Sequence, residues 1–217
     1  MNQAKPHLRP NNQNALYAIA NIDDWLDPKV YVRKLVNAGV GLVQVRSKTW
    51  SDDALAAFCA EVLDEIHTTG SETVLLINDR LNVARSCKAH GVHLGQEDVS
   101  PICAREELGP SAVIGLSTHN VSQAAKAPVE VLDYIGFGPV FMSPTKQGHA
   151  PTTGTDQLRA AVRATSLPVV AIGGITLKNV TSVFEAGATF AAIISDLAQA
   201  SSIENYAAEI SSRRSLL

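Results

Sequence analysis

The chain has little cysteine, no long apolar run and no excess of positive charge. Cys59, Cys87 and Cys103 are its 3 cysteines. They fall at wide spacings, in stretches that read as helices, without metal-ligand spacing. They read as free thiols in a reducing cytoplasm. No apolar run reaches the roughly 18 to 20 residues that span a bilayer, so no membrane segment is expected. The first residues, MNQAKPHLRPNNQNA, are polar and hold no apolar signal core, which argues against secretion. A formal net charge of -3 leaves no basic excess to neutralise many phosphates, so a nucleic-acid surface is not expected. Any phosphate binding must then come from a few placed residues. No GxGxxG follows the first apolar run, so a dinucleotide-binding layout is not indicated. There is no low-complexity segment and no internal linker that would split the chain.

What is present is ordinary for a globular protein, 46% apolar and 18% charged. Residues 1–14 read as a flexible tail and 15–217 as one domain. Short apolar runs read as strands at 16–20, 41–45, 74–77, 91–94, 112–116, 132–137, 168–172 and 189–194. Helical patterns alternate with them. Asp27-Pro28 opens the first helix, whose apolar face reads as Val30, Val32, Leu35 and Val36. Ser51 caps a longer helix that closes at Gly70. Further helices read at 81–87, 101–108, 121–127, 156–165, 178–185 and 203–213. The runs LVQV, VLLI and VVAI lack polar alternation, as buried parallel strands do. Eight βα units in this length predict an α/β fold, a single-domain (β/α)8 TIM barrel. The connection 138–154, rich in Gly, Pro, Thr and Ser, is long for a compact domain and reads as a mobile lid.

In such a barrel, chemistry sits at the C-terminal ends of the strands, and the polar oddities of this sequence fall there. Gln44 and Arg46 alternate onto one face at the end of the second strand, and Lys48 continues that side. An amide and two cations suit a polyanion, Arg offering a bidentate fork. The alternative is a solvated loop, at the desolvation cost of interrupting a buried strand. Asn78 and Asp79 follow the third strand and Asp98 follows the fourth. Neighbouring strands lie about 4.8 Å apart, so the two aspartates come within reach of one cation. Each alone could instead cap the helix that follows it. Together, beside Arg46 and Lys48, they fit a magnesium diphosphate site.

Ser117 can donate to phosphate. His119 stays open as proton carrier, phosphate contact or helix-start residue. His93, inside the fourth strand, reads as a satisfied interior histidine. Ser143, Thr145 and Lys146 add two hydroxyls and an ammonium after the sixth strand. Gly173-Gly174 and Ser195, after strands seven and eight, fit a backbone phosphate site. The sum is two anion sites on one rim, one cationic and metal-assisted, one built from backbone.

Several motifs occur together and in order. They are Gln44-Val45-Arg46-Ser47-Lys48, Ile77-Asn78-Asp79-Arg80, Gly91-Val92-His93-Leu94-Gly95-Gln96-Glu97-Asp98, Ser117-Thr118-His119, Asp133-Tyr134-Ile135-Gly136-Phe137-Gly138-Pro139-Val140-Phe141, Pro144-Thr145-Lys146 and Ala171-Ile172-Gly173-Gly174-Ile175. With them, from Leu16 to Ser195, the chain resembles the thiamine phosphate synthase (thiamine-phosphate pyrophosphorylase) family. The resemblance implies a transferase that joins hydroxymethylpyrimidine diphosphate to a thiazole phosphate. Pyrophosphate leaves first, and a pyrimidine-methyl cation is captured by the thiazole. It implies that Gln44, Arg46, Lys48, Asn78, Ser117 and Lys146 bind the pyrimidine diphosphate. Arg46, Lys48, Lys146 and Ser117 are then the catalytic groups at the leaving diphosphate. Asp79 and Asp98 hold Mg2+, and Ser143, Pro144, Thr145, Gly174, Ile194 and Ser195 bind the thiazole phosphate. Partners are then small phosphorylated substrates, with no nucleic acid and no membrane, in the cytoplasm. A homodimer is the default expectation for a barrel enzyme.

There are departures. Ser143 stands where the family usually has Thr, and Met142 where it has Pro. The first strand ends Ala20-Asn21, not in Thr-Asp. The related thiazole tautomerases share the fold and a His in the strand-five loop. They generally lack the Asn-Asp after strand three and the Gln-Glu-Asp after strand four. A phosphate-sensing paralogue would not need a magnesium pair, and a sugar-phosphate isomerase would need a placed acid/base pair.

Overall fold

The structure is a computed structural model that describes Leu8 and residues 15–142 and 151–216. In chain order it contains β1 (Leu16–Asn21), a 3-10 turn (Ile22–Asp24), α1 (Pro28–Asn37), β2 (Leu42–Arg46), α2 (Asp52–Thr69) and β3 (Val74–Asn78). Then come α3 (Leu81–Cys87), β4 (Gly91–Leu94), α4 (Pro101–Leu108), β5 (Val113–Thr118), α5 (Val121–Ala125) and β6 (Tyr134–Phe137). The chain finishes with α6 (Gly154–Ala164), β7 (Val169–Ile172), α7 (Val180–Glu185), β8 (Phe190–Ile193), α8 (Ser195–Ala198) and α9 (Ile203–Ser215). Every strand pairs in parallel with its neighbours in sequence, and β1 also pairs with β8. The sheet is therefore a closed barrel, the single-domain (β/α)8 fold that the repeat of units predicts.

Local chemistry starts the helices where the sequence marks them. Asp27, Ser51, Ser100, Asn120 and Ser202 each accept a backbone N–H from the first turn of α1, α2, α4, α5 and α9. Such a cap stabilises by about 1 kcal/mol. Gly70 ends α2 at φ 66°, the left-handed stop that glycine takes without strain.

Strand alternation divides the core in two. One face of each strand packs outward on the helices through residues such as Ala18, Val43, Val45, Leu75 and Ile77. The other fills the barrel with Tyr17, Ile19, Leu42, Leu76, Tyr134, Val170 and Phe190. Leu8 packs against this inner cluster. At the N-terminal end of β6, Asp133 accepts from Arg105 at 2.7 Å and from the amide of Ile114 at 2.8 Å. The Arg105 guanidinium also ties down the carbonyls of Gly109, Ala112 and Val131.

Two local expectations need correction, one alternative falls away and one further helix appears. On α1 the core face is Tyr31, Val32, Leu35 and Val36, while Val30 is 43% exposed. Val32, Leu35 and Val36 keep the expected face, and Tyr31, whose ring stacks on Trp25 at 3.8 Å, takes the place expected for Val30. β5 runs on to Thr118, so Ser117 and Thr118 lie in the strand and not after it. Neither Asp79 nor Asp98 caps a helix: Arg80 and Ser100 hold those positions. Ser195–Ala198, after β8, form a short helix, α8.

Candidate active site

Barrel register brings the C-terminal ends of β2 to β5 side by side. Asn21 pairs with Arg46, and Asn78 with His93. Directly paired residues of parallel strands share a face, so Asn21 and Arg46 line the mouth together. Asn21 donates to Asp24 at 2.6 Å, and its own Oδ1 is buried without a partner among the described residues.

The loop after β2 is organised by a carboxylate that sequence reasoning missed. Asp23 accepts from Ser47 Oγ and from the Lys48 amide, both at 2.6 Å, and from Thr49 Oγ1 at 2.8 Å. Burial would raise its carboxyl, but these donated bonds win and hold it below the usual carboxylate range. Arg80 closes the loop from the other side, donating to the carbonyls of Trp50 and Ser47 and to Asp52. No role for Arg80 follows from the sequence, since its partners lie some thirty positions away. Asp23 stands two residues past β1, at the C-terminal rim of the barrel, and that position was its only signal.

Asp79 sits at φ 61°, a left-handed conformation that a side chain adopts only under constraint. Its amide donates to the His93 carbonyl at 2.9 Å, which pins the backbone to β4. Asn78 Nδ2 donates to its carboxylate at 2.5 Å. Asp98 folds back to accept the Gly95 amide at 2.6 Å. Burial, and then the Asp98 charge and hydrogen bond, raise the Asp79 carboxyl to about 6 against the opposing pull of Arg46. The two carboxyls stand just past the ends of the neighbouring strands β3 and β4, and like charges near one another disfavour each other. A hard divalent cation takes such oxygen donors. Among the described residues no third His, Cys, Asp or Glu joins them, so the remaining ligands of a cation there would be phosphate oxygens and water.

Beneath this rim lies a buried chain of polar groups. Gln44, 3% exposed, donates to Tyr17 OH at 2.7 Å. Tyr17 OH lies 2.9 Å from Tyr134 OH, which lies 2.7 Å from His93 Nδ1. His93 Nε2 lies 2.9 Å from Ser117 Oγ. His93 is the satisfied interior histidine that its place in β4 suggests. Burial pulls its ring down to about 4, with Asp98 opposing weakly. The Ser117–His93 contact has the distance of a nucleophile and its base. A ring neutral to about pH 4 is too weak a base for that work near neutrality. His119 is settled differently: Nδ1 bonds the Gly138 carbonyl at 2.9 Å, tying the end of β5 to that of β6. A carbonyl only accepts, so that nitrogen carries the proton.

On the far side, Gly173 and Gly174 have φ 101° and 61°. A Cβ on Gly174 would lie 2.3 Å from the Met142 carbonyl oxygen, and one on Gly173 would lie 2.6 Å from Pro139. The close approach these glycines permit is thus to the chain segment after β6. Ile194 and Ser195 open α8 beside them. Ser143, Pro144, Thr145 and Lys146, with the centre of the 138–154 connection, lie outside the described residues. A groove lined by Asn37, Thr69, Glu72, Glu204 and Ser212 is at the opposite end of the barrel and touches none of these groups. No described helix is long and apolar enough to cross a membrane.

A closed barrel with carboxylates, a guanidinium and a hydroxyl on its C-terminal rim has its polar groups where barrel enzymes carry their active sites. Comparison with known proteins is more specific. The sequence signature described as thiamine monophosphate synthase matches residues 16–197. A thiamine-phosphate synthase of Koribacter versatilis is 40% identical over 188 residues, covering 84% of this chain and 88% of that one. That of Vibrio campbellii is 40% identical over 190 residues, 87% of this chain and 92% of the other. In three dimensions, the thiamine phosphate pyrophosphorylase of Pyrococcus furiosus superposes with a TM-score of 0.81 at 28% identity, over 95% of this chain and 97% of that one. The chain belongs to the thiamine monophosphate synthase family, transferases of thiamine biosynthesis.

Proposed function

We propose that this protein joins hydroxymethylpyrimidine diphosphate to thiazole phosphate, giving thiamine phosphate and pyrophosphate. One observation carries the reading: Asp79, its amide held by the His93 carbonyl, and Asp98, folded back on the Gly95 amide, stand together past the ends of neighbouring strands on the rim. A carboxylate pair of this kind has little reason to persist without a cation, and a cationic loop beside it suits the anion that the cation would bring. Asp79 and Asp98 would hold Mg2+, which when bound neutralises charge on the diphosphate and makes it a better leaving group.

The chain's own groups then do the rest. Arg46 and Lys48 draw the diphosphate to the mouth, and Lys146 joins them. Ser117 donates to a departing oxygen. Asn78 fixes the Asp79 carboxylate and contacts the substrate, and Gln44 contributes at the pyrimidine side. These groups act where negative charge grows as the C–O bond breaks, which is where fixed donors help most. Gly174, Ile194 and Ser195, with Ser143, Pro144 and Thr145, hold the thiazole phosphate so that its ring nitrogen faces the pyrimidine-methyl cation. Positioning of that kind replaces a bimolecular encounter. No covalent enzyme intermediate is required. Cytoplasmic location is supported by three unpaired thiols, and a homodimer remains the expectation to be checked by light scattering.

The test is pyrophosphate release by the purified protein given both phosphorylated substrates. Release should require both substrates and Mg2+ and should stop on chelation. No release in the presence of Mg2+ would refute the reading.

A further inference from the structure

The chain Gln44–Tyr17–Tyr134–His93–Ser117 crosses the barrel interior from β2 to β5, and both of its ends belong to the proposed diphosphate set. Tyr17 and Tyr134 are 1% and 0% exposed, so neither hydroxyl can turn to bulk water. Space for them is cut into the sheet. A Cβ on Gly115 would lie 2.1 Å from Tyr134 Cζ and 2.4 Å from its hydroxyl. A Cβ on Gly136 would lie 3.2 Å from His93 Cε1. Glycine weakens a strand, and here two strands carry it where the chain passes.

Counting hydrogens gives the chain a direction. The Gln44 amide nitrogen can only donate, so Tyr17 oxygen accepts there. Shut off from water, each hydroxyl satisfies its single hydrogen within the chain only if Tyr17 donates to Tyr134 and Tyr134 donates to His93 Nδ1. A neutral imidazole with Nδ1 accepting carries its proton on Nε2. Nε2–H then donates to Ser117 Oγ, and the Ser117 hydrogen is left for a group above the rim. Turning the Gln44 amide round would reverse every bond. Ser117 would then give its hydrogen to His93 and meet an incoming anion with lone pairs alone. Buried chains of this kind polarise and order one another, so the choice is shared by all members.

We infer that Tyr17, Tyr134 and His93 are positioning residues that hold the Ser117 hydroxyl as a donor toward the substrate diphosphate. The inference rests on the synthase reading for the identity of the anion, but not for the direction of the chain.

Two measurements test it. Histidine 15N–1H spectra of the wild-type protein should show His93 neutral with its proton on Nε2. Tyr134→Phe should mix the two tautomers. A proton on Nδ1 in the wild type, or a tautomer unchanged by Tyr134→Phe, overturns the inference. In turnover, Tyr134→Phe should lower kcat at least about tenfold, the scale of one hydrogen bond to a charged group. It should leave KM for thiazole phosphate unchanged and have no further effect in a Ser117→Ala background. Equal losses in both backgrounds mean a merely structural role and overturn the inference. Tyr17→Phe, one link earlier, should repeat the pattern if Tyr134→Phe does not fold. A wild-type protein with the Nε2–H tautomer but no pyrophosphate release refutes the synthase reading and leaves the direction of the chain standing.

Discussion

Asp79 concentrates three costs in one residue. It sits at φ 61°, its carboxyl is partly desolvated, and it faces the like charge of Asp98. A left-handed backbone at a non-glycine residue costs on the order of 1 kcal/mol. In the metal-free protein, Asp79→Gly should therefore be at least as stable as the wild type. Asp79→Ala should fall below Asp79→Gly by about 1 kcal/mol, because alanine keeps the strain and glycine does not. Urea unfolding of both variants measures this, and a glycine variant weaker than the alanine one would contradict it. His93 gives the pH counterpart. Its folded value, about 4, lies below the ordinary histidine value, so between the two the unfolded chain binds more protons. Its contribution to stability is complete above about pH 6.5 and is lost as pH falls toward 4. The slope is at most about 1.4 kcal/mol per pH unit. His90 is lowered too, by burial and then by His67, so the comparison must be with His93→Gln. That variant should show a flatter acid limb in thermal unfolding, and an identical limb would refute the assignment. At this scale the sequence was half legible. Asp79 and Asp98 stand out because each follows an apolar run. The chain beneath them does not, because Tyr17 and Tyr134 lie 117 positions apart and read as ordinary strand residues.

Helices and strands were the most legible layer. Caps such as Ser51 and Ser100, and stops such as Gly70, fix where elements begin and end by local chemistry alone. What escaped were features set by contact. Continuous apolar strands do not say which side faces the barrel interior, and the burial of Tyr31 in place of Val30 goes with a stacking contact to Trp25 outside the helix. The four residues of α8 are too few for a periodic signal. The α4–β6 junction gives an element-scale prediction. Asp133, its side chain 6% exposed, relies on Arg105 for charge balance. Arg105→Ala should cost about 3 to 5 kcal/mol, since it strands a buried carboxylate. KM for both substrates should not change, because the junction lies at the N-terminal end of the barrel. Denaturant unfolding and steady-state kinetics check this together. A loss under about 1 kcal/mol would mean that water reaches the carboxylate.

For the whole molecule, barrel closure turns a list of separated motifs into one rim. β2 to β5 supply carboxylates, cation and hydroxyl, while β7 and β8 supply backbone and a short helix on the other side. The alternation of units was enough to predict this, because the chemistry of a barrel follows strand ends. Whether Ser143 through Lys146 bridge the two sides falls outside the described residues. The proposed division of the rim into two anion sites of different construction belongs to this scale. Titration calorimetry of Asp79→Gly in Mg2+ tests it most directly, since glycine keeps the backbone in place. Binding of the pyrimidine diphosphate should weaken at least about tenfold, as expected for loss of a charge-assisted ligand, while binding of thiazole phosphate stays within about twofold of wild type. Equal loss of both would contradict the two-site division.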